Sequence, residues 1–153
     1  MIALRRLAHF LAFGFGAGKA PVAPGTFGTL VGIAAYLLLQ PLSALSYAVT
    51  VLALFGLGVW LCQVTERDLG VHDHPGIVWD EIVGYLITMY MAPAGWVWIV
   101  AGFLLFRLFD IWKPFPIRQL ERRIRGGFGN MLDDALAGLY SLAVLQGIVF
   151  LAK

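Results

Sequence analysis

Acidic residues are scarce in this chain: nine among 153, against eleven basic ones, in a sequence that is 60% hydrophobic. Charged residues make up 13%, about half the ~25% of a typical soluble domain. That scarcity excludes an ordinary solvated surface. A net charge of +2 is too small to supply the dense basic patch of a nucleic-acid-binding protein. Cysteine is almost missing. The single Cys62 excludes an internal disulfide, and its apolar run suits a small buried hydrophobe. Sparse cysteine is compatible with a reducing cytoplasmic face. No Gly-Lys-Ser/Thr follows a glycine loop at the spacing of a P-loop. The length fits one domain, 1–153.

The few carboxylates that exist are not scattered. Asp68, Asp73, Asp80, Glu81, Asp110, Asp133 and Asp134 fall in three short islands, each against an apolar run. An ionised carboxylate beside hydrocarbon is costly unless a cation pairs with it. Clustered acids interleaved with Lys and Arg therefore suggest a divalent-metal and phosphate site at the edge of a membrane.

Hydrophobic runs and breakers predict an all-α chain. An apolar N-terminal segment, about 2–13, starts with Arg5 and Arg6. It is too short to span a bilayer, suits an interfacial helix, and lacks the cleavage site of a signal peptide. The loop 14–28 holds five glycines and two prolines. Five hydrophobic helices follow, at about 27–40, 45–64, 81–91, 96–112 and 131–152. A basic amphipathic stretch, 117–125, precedes the last. The architecture expected is a multi-helix membrane bundle.

With the N-terminus in the cytoplasm, nine of the eleven basic residues fall on the cytoplasmic side, while loops 41–44 and 92–95 carry no charge. That is a positive-inside pattern. The same topology brings the acidic islands and the Gly/Pro loop to one face.

Each island has a plain reading beside a chemical one. In DLGVHDHPGIVWDE (68–81), Asp80 and Glu81 could simply complement a helix dipole. That does not account for Asp73, His72 and His74 nearby. Hard cations such as Mg²⁺ prefer oxygen ligands, whereas histidines would suit zinc; the oxygen-rich set favours Mg²⁺. His74 is a candidate for proton transfer or a hydrogen-bonded loop residue. In RLFDIWKP (107–114), Arg107 and Asp110 share a helix face and could form a local ion pair. Asp110 sits near a helix C-terminus, where the dipole disfavours it. Lys113 could meet a phosphate or snorkel to the headgroups. In GGFGNMLDD (126–134), the glycines could cradle an anion ahead of Asp133 and Asp134, or merely form a turn. Lys19 and Thr26 of the Gly/Pro loop could reach a phosphate, and Thr26 could equally be a helix N-cap.

Together PVAPGTFGT, DLGVHDHPGIVWDE, FRLFDIWKPFPI and GGFGNMLDDALAG resemble the bacterial phosphatidylglycerophosphatase A family, in order from about residue 13 to 138. No acidic position of these motifs is missing. The resemblance implies a Mg²⁺-dependent phosphatase of the bacterial inner membrane with an all-helical fold. Its substrate would be phosphatidylglycerophosphate, its product phosphatidylglycerol. In that setting Asp80, Glu81, Asp110, Asp133 and Asp134 would hold one or two Mg²⁺ ions. Lys19, Thr26, Arg107 and Lys113 would bind the phosphomonoester. Asp73 or His74 would act as acid or base, with direct attack by an aspartate as the alternative. The implied enzyme is multi-pass, with its site facing the cytoplasm; the sequence leaves its oligomeric state open. A competing class is a small transporter or channel subunit with an acidic pathway. Such proteins place ionisable groups near the bilayer midplane, whereas these acids lie at helix ends.

Overall fold

Proline and glycine divide the chain into seven α-helices, with no strand, in a computed structural model that describes residues 1–153. They are α1 (Ile2–Ala12), α2 (Pro24–Leu39), α3 (Ala44–Leu69), α4 (Trp79–Thr88), α5 (Trp96–Trp112), α6 (Ile117–Arg123) and α7 (Gly126–Leu151), with a 3₁₀ turn at Ala17–Lys19. The breakers explain the boundaries. Pro24 takes the first position of α2, where its missing N–H costs nothing. Ser43 caps α3, its side chain accepting the N–H of Ser46 at 3.2 Å. Gly70, at φ +66°, ends α3 in the left-handed conformation.

The short α4 is the centre of the bundle, packed against α2, α3, α5 and α7. Its Val83, Tyr85 and Leu86 are completely buried. Two of its polar side chains reach backbone carbonyls of neighbouring helices: Tyr85 Oη donates to Ile99 O at 3.0 Å, and Trp79 Nε1 donates to Leu54 O at 3.1 Å. Gly84 and Gly138 let α4 and α7 approach closely, since a Cβ on Gly138 would lie 2.5 Å from Gly84 O. A Cβ on Gly84 would lie 2.8 Å from Asp134 O, so the same close approach brings Asp134 of α7 beside the middle of α4, three residues on from Glu81. The N-terminal helix is tied down by Asp68, which meets Arg5 at 3.3 Å and His9 at 3.0 Å.

The all-helical expectation holds. Helices α3 and α7, 26 residues each, are long and apolar enough to cross a membrane. Only 28% of each apolar window is buried within the protein, so these are not the hidden core helices of a soluble fold. Helices α2, α4 and α5, at 16, 10 and 17 residues, fall short of the ~20 that a span needs. At about 15 Å long, α4 reaches only part-way across a bilayer.

Two boundaries differ from expectation in ways that matter for the site. Helix α3 runs on through Thr65–Leu69, so Glu66 is helical rather than part of a loop. Helix α7 begins at Gly126, five residues before position 131, so Asp133 and Asp134 lie beyond its first turn and do not cap its dipole.

Candidate active site

Asp80 and Glu81 open α4, and Asp134 comes from the first third of α7. Oxygens of these three carboxylates lie within 4.8 Å of one another. Asp80 and Asp134 are 7% and 3% exposed. Glu81 Oε2 and Asp134 Oδ2 are buried with no hydrogen-bond partner. Burial and the neighbouring Glu81 and Asp134 push the Asp80 carboxyl well above the usual range. Burial also pushes Glu81 up, to about 7. Orphaned, crowded carboxylate oxygens of this kind are costly unless a cation neutralises them. An all-oxygen set fits a hard divalent ion.

Asp110 flanks this cluster. It pairs with Arg107 one turn earlier on α5. Both the local ion pair and the unfavourable position at a helix end are therefore real features of Asp110. Arg107 in turn faces the start of α2: a Cβ on Gly25 would lie 3.0 Å from Arg107 Nη1 and 2.9 Å from Glu81 Oε1. Glycine at 25 is what lets the α2 backbone reach the acids. Thr26 follows it inside the first turn of α2. The N-cap is Ala23, not Thr26, because the helix starts three residues earlier than position 27.

Asp133 turns away from its chain neighbour. Its Oδ2 accepts from Lys113 Nζ at 3.2 Å, while its Oδ1 is buried without a partner. Lys113 also donates to Glu121. Burial works against the ammonium, but Glu121 and Asp133 outweigh it and raise its pKa. Asp73 belongs to the same group. Its carboxyl is raised by burial, with Lys113 opposing and Glu121 adding.

Glu66 organises the loop that carries Asp73. Its Oε1 accepts from the Asp73 backbone N–H at 2.6 Å and from Asn130 Nδ2 at 2.6 Å, and lies 3.2 Å from His72 Nδ1. Ala23, Asp73 and Lys113 all adopt positive φ, at 49°, 53° and 51°. Such backbone is costly for residues other than glycine and collects at functional sites.

Of the expected residues, the structure groups Asp80, Glu81 and Asp134, with Asp110 and Arg107 beside them and Lys113, Asp133 and Asp73 adjoining. His74 stands apart. Its Nδ1 accepts from Gly76 N–H at 2.9 Å and its ring packs on Phe13, the plainer of its two readings. Lys19 is exposed in a groove with Arg6 and His9 rather than paired to the acids. The glycine cradle at 126–130 is not formed as expected. Gly127 N–H is taken by Gln63 Oε1 at 3.0 Å, and a Cβ there would lie 2.1 Å from Val59 O. That glycine serves the packing of α7 on α3.

Glu66, Glu121 and Asn130 escaped the sequence reading. The signal for the two acids was present: in a chain with nine carboxylates, none is there for solubility. Asn130 carried no signal beyond its place before Asp133.

The model of the family described as phosphatidylglycerophosphatase A matches residues 10–149. The chain belongs to the phosphatidylglycerophosphatase A family. It is 46% identical over 141 residues to the phosphatidylglycerophosphatase A of Escherichia coli K12, covering 92% of this chain and 82% of that protein. It is also 46% identical over 151 residues to that of Haemophilus influenzae, covering 97% and 93%. A Bacteroides thetaiotaomicron protein provisionally named a phosphatidylinositol-3-phosphatase is 42% identical over 142 residues, covering 86% and 87%. No solved structure matches. The chain is thus an enzyme, a phosphoric monoester hydrolase, rather than a transporter subunit. Membership and the two exposed apolar helices together indicate association with a membrane.

Proposed function

We propose that this enzyme removes the terminal phosphate of phosphatidylglycerophosphate, leaving phosphatidylglycerol, at the cytoplasmic edge of the bacterial inner membrane. The observation that carries the reading is the buried trio Asp80, Glu81 and Asp134, with two of its oxygens unpartnered, inside a chain of this family. Asp80, Glu81 and Asp134 would hold Mg²⁺, with Asp110 alongside and Asp133 available to a second ion. The ion, when bound, supplies charge neutralisation and a more acidic water.

The chain's own groups do the rest. Arg107 presents a planar fork suited to phosphoryl oxygens, and Asp110 aims it. Gly25 opens the space in which Thr26 and the α2 N-terminus approach the same oxygens. Lys113 stabilises charge on the side of Asp133. Asp73, whose carboxyl is raised by burial, is the better candidate for proton transfer. His74 would serve only as a donor from Nε2, because Nδ1 is occupied by Gly76. Lys19, at the rim, would meet the lipid phosphate region.

The membrane placement rests on the positive-inside distribution and on α3 and α7 as spans. Acyl chains then stay in lipid while the headgroup reaches the acids at the helix ends.

The test is phosphate release from phosphatidylglycerophosphate in detergent micelles, with Mg²⁺ or EDTA, beside phosphatidylinositol 3-phosphate as the rival substrate. Mg²⁺-dependent release from the glycerol lipid, absent in Asp80→Asn, is expected. Preference for the inositol lipid would move the substrate assignment to the chemistry that the Bacteroides relative is named for.

A further inference from the structure

Helix α1 turns an apolar face outward. Ala8 and Ala12 are buried against the bundle, whereas Leu7 and Phe10, which point away from them, are each more than half exposed. Phe15, just beyond the helix, is exposed as well and meets Phe10 edge-on, with ring centroids 5.6 Å apart. A short helix with basic residues beside an outward face of Leu and Phe is suited to the interfacial layer of a bilayer.

A groove opens beside this face. It encloses roughly 320 Å³, and Arg6, His9, Phe10, Phe13, Lys19 and Leu69 line it. Its free charge is of one sign. Neither Arg6 nor Lys19 has a carboxylate within 4.0 Å, unlike Arg5, Arg107 and Lys113. The nearby acid, Asp68, is already engaged by Arg5 at 3.3 Å and His9 at 3.0 Å. The groove therefore offers two free cations and two phenyl rings, with no free carboxylate on its wall. A zwitterionic headgroup would bring its ammonium to a wall with nothing to receive it. A headgroup of net negative charge meets both cations, while its chains follow the exposed apolar face of α1 into lipid.

None of the lining residues belongs to the acid trio or to the Arg107–Asp110 pair. The 3₁₀ turn that carries Lys19 is packed on the loop before α4, since a Cβ on Gly18 would lie 1.8 Å from Gly76 O. Resting on the membrane placement above, we propose that this groove binds one anionic glycerophospholipid of the cytoplasmic leaflet, other than the substrate, and so pins α1 to the membrane surface. Arg6 and Lys19 hold its phosphodiester, and Phe10 and Leu69 meet the first methylenes of its chains. No bond is made or broken.

The test reads energy transfer from the tryptophans to pyrene-labelled phosphatidylserine, beside pyrene-labelled phosphatidylcholine, with full-length protein in nonionic detergent micelles. Wild type should bind the serine lipid more tightly, by about fivefold or more. Arg6→Ala/Lys19→Ala should lose about tenfold or more in that affinity, the scale of two cations at an anionic surface. Lys153→Ala removes a positive charge beyond the far end of α7 and should match wild type. Asp80→Asn should also match wild type, because the labelled lipid does not occupy the acid cluster. Circular dichroism checks that each variant is folded. Equal binding of the two lipids by wild type, unchanged affinity in the double variant, an equal loss in Lys153→Ala, or a loss in Asp80→Asn would overturn the assignment. The readout needs no turnover, so its failure leaves the phosphatase reading intact. Absence of phosphate release by wild type would remove that reading and leave this assignment standing.

Discussion

Asn130 on α7 donates to the Glu66 carboxylate on α3 at 2.6 Å, and the same oxygen accepts the Asp73 backbone N–H. One buried carboxylate therefore joins two long helices to the loop that carries a candidate acid–base residue. Removing it orphans buried donors, each costing about 1–3 kcal/mol. Glu66→Ala should lower the thermal midpoint by several degrees, at about 2–4 °C per kcal/mol for a chain of this size, and should abolish most activity. Glu66→Gln keeps an acceptor for Asn130 and should retain the fold. Thermal melts of the two variants in detergent check this; equal melting of both with wild type would contradict the bridging role.

Gly25 makes a different prediction. A methyl group there would meet the flexible ends of Glu81 and Arg107, not backbone. Gly25→Ala should therefore fold normally yet lose about tenfold or more in kcat/KM, the response to a small misplacement at a reacting centre. Gly56→Ala, where an added Cβ meets nothing within 4 Å, should be silent. Steady-state kinetics of both variants, with circular dichroism for the fold, would settle the comparison; an active Gly25→Ala would place the phosphate elsewhere.

The raised carboxyls predict an inverted pH dependence without metal. Burial, followed by its acidic neighbours, raises Asp80, and burial raises Glu81 from 4.5 to about 7. Groups that bind protons more tightly folded than unfolded favour the fold at low pH. That contribution is fully present below about 4.5 and is lost as pH rises through about 7. EDTA-treated protein should consequently melt lower at about pH 8 than at about pH 5.5. Added Mg²⁺ binds the ionised acids and should raise the midpoint more at the higher pH. A Mg²⁺ shift independent of pH would mean that these carboxyls are not the binding groups.

Much of the fold was legible where the chain marks its own boundaries. Helix α5 spans the residues expected of it, because Gly95 precedes it and Lys113-Pro114 ends it. The start of α7 was not legible. Gly126, Gly127 and Gly129 look like a loop, but at Gly127 the glycine allows α7 to lie directly on α3, a tertiary demand that local propensity does not carry. The end of α3 was missed for a related reason: the polar run at Thr65–Leu69 continues a helix whose Thr65 and Glu66 are buried against its neighbours. Among site residues, Asp80, Glu81 and Asp134 stood out because carboxylates are rare here, and they meet. The division of Asp133 from Asp134 was not legible, since adjacent positions on a helix point about 100° apart and only packing decides what each one faces.

The most direct test is calorimetric titration of Mg²⁺ into metal-free protein in detergent, for wild type, Asp80→Asn and Asp134→Asn, with folding of each checked by circular dichroism. Saturable binding by wild type, weakened at least about tenfold in each folded variant through loss of a coordinating carboxylate, is the result predicted. Equal binding by all three would contradict the assignment of the buried trio as the metal site.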